Sequence, residues 1–69
     1  MTIDLITLAE NKNEILQSHL KVLCPECQEF WFSPFDRLFT LAYGACFMCA
    51  EDSEETQMII DNIMTIIEL

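Results

Sequence analysis

Between Ser33 and Gly44 the apolar residues recur at Phe35, Leu38, Phe39, Ala42 and Tyr43, the i, i+3, i+4, i+7, i+8 spacing of one helical face. Ser33 stands where an N-cap is wanted, Pro34 suits the first helical position, and Asp36 follows at the third. Gly44 fits a left-handed C-terminal cap, so a helix is expected over 34–43. A second helix is expected over 54–68. Asp52 or Ser53 can cap it, Glu54 and Glu55 complement its N-terminus, and no breaker follows. Ile59, Ile60, Ile63, Ile66 and Ile67 form its apolar stripe, widened by Met58, Met64 and Leu69, opposite Gln57, Asp61, Thr65 and Glu68. The N-terminal third supports two readings. Thr2 to Leu8 alternates enough for a short strand, with Ile3 and Leu5 on one face. A helical reading aligns Leu5, Leu8, Ala9, Leu16, Leu20 and Leu23, and Asn13 can cap a second piece from Glu14. Helix over most of 3–22, in two pieces, is the favoured expectation. The fold class is therefore mostly α, a single domain over 1–69.

Composition sharpens this. The chain has 69 residues, twelve acidic and three basic, and a formal net charge of −9. Three cations (Lys12, Lys21, Arg37) cannot neutralise a row of phosphates, which argues against direct nucleic-acid binding. No apolar run reaches the ~18 residues of a membrane span. No cationic segment precedes an apolar one at the N-terminus, so no signal peptide is expected and the expected compartment is the cytoplasm, that of the host if a phage encodes the chain. Hydrophobic residues make up 52%, too many for a disordered segment. A chain this short buries a small core and needs a metal, disulfides or an oligomer to hold it.

The four cysteines fall as Cys24-Pro25-Glu26-Cys27 and Cys46-Phe47-Met48-Cys49, two C-x2-C pairs eighteen residues apart. That spacing reads as a four-thiolate zinc site, one Zn²⁺ per chain. Two intervening residues let a tight turn aim both sulfurs at one point, and proline after the first cysteine favours the turn. Disulfides are rare in a reducing cytosol. Four cysteines fill every position of a tetrahedral ion, which makes the expected role structural and leaves His19 surplus. The cysteine spacing resembles that of small zinc-knuckle and treble-clef proteins. The latter implies a second ligand pair at or near the start of the last helix. Rubredoxins similarly hold one iron with two C-x2-C pairs, but Gln28 and Ala50 stand here where such knuckles carry glycine, and the spacer reads as helix. A β-rich zinc ribbon would place strands in that spacer.

Three consecutive aromatics, Phe30-Trp31-Phe32, cannot all face one core. Their plain reading is packing on two sides of the metal knuckle; the functional reading makes Trp31 a partner-facing anchor, with Phe47 and Met48 on the surface of the second turn. The acidic run Glu51, Asp52, Glu54 and Glu55 reads most economically as a solvated helix start, and otherwise as part of a recognition surface. No nucleophile–base constellation can be assembled around the single histidine, so an enzyme is not expected. The functional expectation is a protein-interaction module, an adaptor or inhibitor of a larger basic protein. A special case is charge mimicry of nucleic acid, in which the chain is similar to small phage-encoded acidic inhibitors in size and charge only. The alternative is a redox protein, either a rubredoxin-like iron carrier or a dithiol switch built on Cys24 and Cys27. The wide apolar arc of the last helix, with Met58 and Met64 outermost, further suggests a homodimer; its rival is an N-terminal third that covers both sides.

Overall fold

A computed structural model of the chain describes residues 4–68. Six elements follow in order: α1 (Leu5–Glu10), α2 (Lys12–Ser18), β1 (Val22–Leu23), β2 (Phe30–Trp31), α3 (Pro34–Tyr43) and α4 (Glu54–Glu68). None of the helices among the described residues is long and apolar enough to cross a membrane.

The N-terminal third is helical from Leu5, not a strand; Thr2 and Ile3 lie outside the described residues. Asp4 starts α1, its Oδ1 accepting from the Thr7 backbone N–H at 2.8 Å and its Oδ2 from the Thr7 hydroxyl at 3.1 Å. Those bonds hold the Asp4 carboxyl below the usual range. The helix breaks at Asn11, whose backbone N–H and side-chain amide both donate to the Thr7 carbonyl. The second piece starts at Lys12 from Asn11, two residues before the Asn13 cap expected. It also stops earlier, at Ser18. The cause lies in α3: Arg37 Nη1 reaches back to the Leu16 and His19 carbonyls, at 2.9 and 2.8 Å. A cation satisfying those terminal acceptors closes α2 and frees the chain to turn into β1. Leu20 and Leu23 therefore leave the helical stripe, and Leu20 is 73% exposed. Ile15, absent from that stripe, is buried instead.

The helix at Pro34–Tyr43 has the expected bounds, ended by Gly44 at φ 97°. Ser33 is its N-cap in backbone conformation, but its side chain makes no capping bond. Helix α4 also has the expected bounds, and Ser53 rather than Asp52 caps it: Ser53 Oγ accepts from the Thr56 N–H at 3.2 Å. Strands β1 and β2 pair antiparallel, Val22 opposite Trp31 and Leu23 opposite Phe30.

Helix α3 is the centre of the fold, packed by α4, α1, α2 and β1. Leu8, Ile15, Leu38, Ile63 and Ile66 form the helical core, with Phe35, Leu41 and Ile59 packed against it. Of the expected α4 stripe, Ile63 and Ile66 are buried and Ile59 and Ile60 half-buried, whereas Ile67 lies at the solvent edge. Met58 and Met64 are exposed, at 64% and 53%. Six residues apart, they project about 120° from each other around the helix axis. Polar Asp61 and Thr65 lie between them on the helix surface.

This packing sets a stability contrast along α4. Ile63→Ala should destabilise the folded chain by about 2–5 kcal/mol, whereas Ile67→Ala should cost less than about 0.5 kcal/mol. Chemical denaturation of the metal-loaded protein, followed by helical circular dichroism, checks the difference.

Candidate metal centre

Each cysteine pair sits on a turn that a helix or strand delivers. The first pair occupies the connection between β1 and β2. There Cys24 N donates to the Glu29 carbonyl at 3.0 Å and Gln28 N to the Cys24 carbonyl at 2.8 Å. Gln28 takes φ 58°, the left-handed region where rubredoxin-like knuckles use glycine. A non-glycine residue there costs roughly 1–2 kcal/mol, and this turn forms in spite of it. The second pair follows Gly44. Its turn is closed by the N–H groups of Cys49 and Ala50, both donating to the Cys46 carbonyl at 3.0 Å. Ala50 shows no left-handed backbone, so the two knuckles are not conformational copies.

Phe35, Phe39 and Tyr43 stack along α3, at ring-centroid separations of 5.9 and 5.3 Å. Phe47 meets Phe35 and Phe39 edge-on, at 6.0 and 5.9 Å, and so pins the second knuckle to that column. The Tyr43 hydroxyl accepts from the Glu51 N–H at 3.2 Å and fixes the exit from the knuckle.

The two turns bring all four sulfurs within 4.8 Å of one another. Across the knuckles, Cys24 Sγ lies 3.9 Å from Cys49 Sγ and Cys27 Sγ lies 3.7 Å from Cys46 Sγ. A tetrahedral ion with sulfur ligands at about 2.3 Å has ligand–ligand edges of about 3.8 Å. All four cysteines are free thiols, none in a disulfide. Cys24 and Cys46 are buried, with Ala45 beside them and Trp31, Tyr43 and Cys49 packed around; Cys27 is exposed.

Ionisation within the cluster is uneven. Burial opposes a charge on Cys24, but the N–H groups of Cys27, Cys46 and Glu26 outweigh it and bring the thiol down to about 6. One of these bonds, from Cys46 N to Cys24 Sγ, measures 3.2 Å. Cys49 is pushed up to about 12 by its side-chain contact with Cys46, by desolvation and by its contacts with Cys27 and Cys24. At Cys27 the Glu29 N–H favours the thiolate, yet desolvation and the Cys24 and Cys46 side chains raise it overall. Four thiolates at these separations need a cation among them. The donor set therefore fits a metal ion, and the four cysteines would hold it.

The other expected site residues separate. Trp31 packs half-buried against Cys24, Ala45 and Cys46, the knuckle-packing reading of the aromatic trio, and its indole N–H is enclosed without an acceptor. Its direction follows from the pairing, because Trp31 lies opposite buried Val22 and shares its inward face. Phe30 and Phe32 are the exposed members of that trio, and the Lys21 ammonium sits 4.3 Å from the Phe30 ring centroid. Met48 is 75% exposed at the tip of its turn. The acidic run divides. Glu51 and Asp52 line a groove with Phe47, Ala50, Gln57 and Ile60, whereas Glu55 lines another with Asp4, Leu5 and Met58. Glu54 is exposed at the start of α4. Comparison of the chain with known protein families, with curated proteins and with solved structures finds no match.

The uneven thiols set the proton stoichiometry of metal loading. At pH 7 Cys24 is already largely ionised, so binding a divalent ion should release fewer than four protons. Below pH 6 Cys24 is protonated in the free chain, so the release should rise toward four while affinity falls. Titration calorimetry in buffers of different ionisation enthalpy measures both.

Proposed function

We propose that the chain is a structural-zinc protein whose role is to bind another protein, as an adaptor or inhibitor of a larger partner with a basic surface. The observation that carries the metal half of this reading is the convergence of four cysteine sulfurs within 4.8 Å. With four protein ligands, a tetrahedral ion has no open position for water or substrate. An ion held in this way contributes roughly 10–16 kcal/mol of apparent binding energy to folding. The zinc fold is treble-clef-like in one respect: its second ligand pair lies on the turn that leads into the last helix, four residues before the Ser53 cap.

The interaction half draws on charge. A formal charge of −9 on a surface that also exposes Phe32, Met48 and Met64 favours a basic, partly apolar partner and disfavours nucleic acid. Where that partner handles nucleic acid, the acidic surface would occupy its basic groove.

Elemental analysis of protein purified without chelator should find zinc at one per chain. Iron at that ratio, which would colour the protein red, would favour the electron-carrier alternative. Cys27→Ser should leave a largely unfolded chain by circular dichroism and amide dispersion, because metal affinity is folding energy here.

The isolated metal-loaded chain should give no mobility shift with DNA or RNA at low salt. Immobilised in a native lysate, it should retain a basic protein that added salt releases. A shift with nucleic acid, or retention that ignores salt, would count against the proposal.

A further inference from the structure

Between the second knuckle and α4 lies a groove of about 270 Å³. Phe47, Ala50 and Ile60 give its lining apolar surface, Glu51 and Asp52 give it two carboxylates, and Thr56 and Gln57 complete it. One helical turn beyond Ile60, Met64 continues the apolar strip and Ile67 ends it, both reaching solvent. From Ile60 to Ile67 the strip runs about 10 Å, two turns of helix. That length matches an i to i+7 apolar face on a docking helix.

We propose that this groove binds a basic amphipathic segment of another protein, its apolar side chains on Phe47, Ala50 and Ile60 and a lysine or arginine against Glu51 and Asp52. The inference deepens the interaction reading above and rests on it. Charge selects the occupant. Among the described residues the charged groups lining the groove are carboxylates, and Lys12, Lys21 and Arg37 do not line it. Arg37 binds the carbonyls at the end of α2, Lys21 covers Phe30, and Lys12 opens α2. A second copy of the chain would set carboxylates against carboxylates, and an anionic lipid or nucleic-acid backbone meets the same repulsion. A cationic side chain escapes it, and its methylene stem can lie along the apolar part of the lining. The groove is also preorganised. Phe47 is wedged edge-on against Phe35 and Phe39, and the Glu51 backbone is tied to the Tyr43 hydroxyl. A rigid lining lowers the ordering cost of binding.

The test titrates the metal-loaded, ¹⁵N-labelled full chain with a synthetic helical peptide of about four turns. The peptide carries leucines at i, i+3, i+4 and i+7 and lysines elsewhere; the same pattern with glutamates is the control. Amide shifts should concentrate at Phe47, Ala50–Asp52, Gln57, Ile60 and Met64 with the lysine peptide and be absent with the glutamate one. Glu51→Lys with Asp52→Lys should weaken binding about tenfold, whereas Glu10→Lys with Glu14→Lys, equal in charge change, should leave it within about threefold. These four positions are exposed, and helical circular dichroism should confirm that both variants keep the fold. Equal losses in the two variants would reduce the effect to bulk charge and overturn the proposal. Shifts confined to the Leu23–Phe30 face or to the Asp4–Met58 groove would overturn this groove but leave the interaction reading standing. No binding of the lysine peptide would also overturn the groove, while the lysate experiment decides the broader reading on its own.

Discussion

Four sulfurs held within 4.8 Å of one another cannot all be thiolates unless a cation sits among them. In the free chain the cluster ionises unevenly: Cys24 comes down to about 6, Cys27 is raised and Cys49 goes up to about 12. That is a compromise, and it leaves two buried cysteines in a cluster that pulls against itself. A metal ion removes the conflict by supplying positive charge to all four ligands at once. The knuckles are twenty-two residues apart in the chain (24 to 46) and belong to no shared helix or strand, so the ion would be the crosslink that joins them.

Helix α3 links that cluster to the rest of the molecule. One side of it, with Leu38, joins Leu8, Ile15, Ile63 and Ile66 in the helical core. Its aromatic column of Phe35, Phe39 and Tyr43 receives Phe47 from the second knuckle. Near its start, Arg37 closes α2 and thereby sets where the chain turns into β1 and the first knuckle. A single ten-residue helix thus positions both ligand pairs. Loss of its packing would disturb the metal site from both sides.

What was legible in the sequence follows from this arrangement. Helix α3 and helix α4 could be read to their bounds because their signals are local: Pro34 and Gly44 for one, the Ser53 region and isoleucine periodicity for the other. The grouping of the four cysteines could be read from spacing alone. The break at Asn11 rather than Asn13, and the end of α2 at Ser18, could not, because a guanidinium about twenty residues downstream decides the latter. The choice of Trp31 as the inward member of its trio was hidden for a related reason. Its direction depends on pairing with Val22 across a turn, and three adjacent aromatics carry no local cue to which one faces inward. The division of the acidic run was equally hidden: consecutive residues at a helix start point to different sides once the helix is docked.

The same long-range contacts shape the electrostatic surface. With three basic residues against twelve acidic ones, the positions of the cations matter more than their number suggests. Arg37 binds backbone carbonyls, and Lys21 lies over an aromatic ring. Neither position brings a cation into the lining of the groove beside the second knuckle. There Glu51 and Asp52 share the lining with apolar Phe47, Ala50 and Ile60 and, among the described residues, with no cation, and Ser53 caps the helix that carries Ile60. The knuckle that provides two of the metal ligands therefore also supplies Phe47 to this surface. The ten residues from Gly44 to Ser53 join the sulfur cluster to the groove, so an event that opened the cluster would be expected to alter the groove as well.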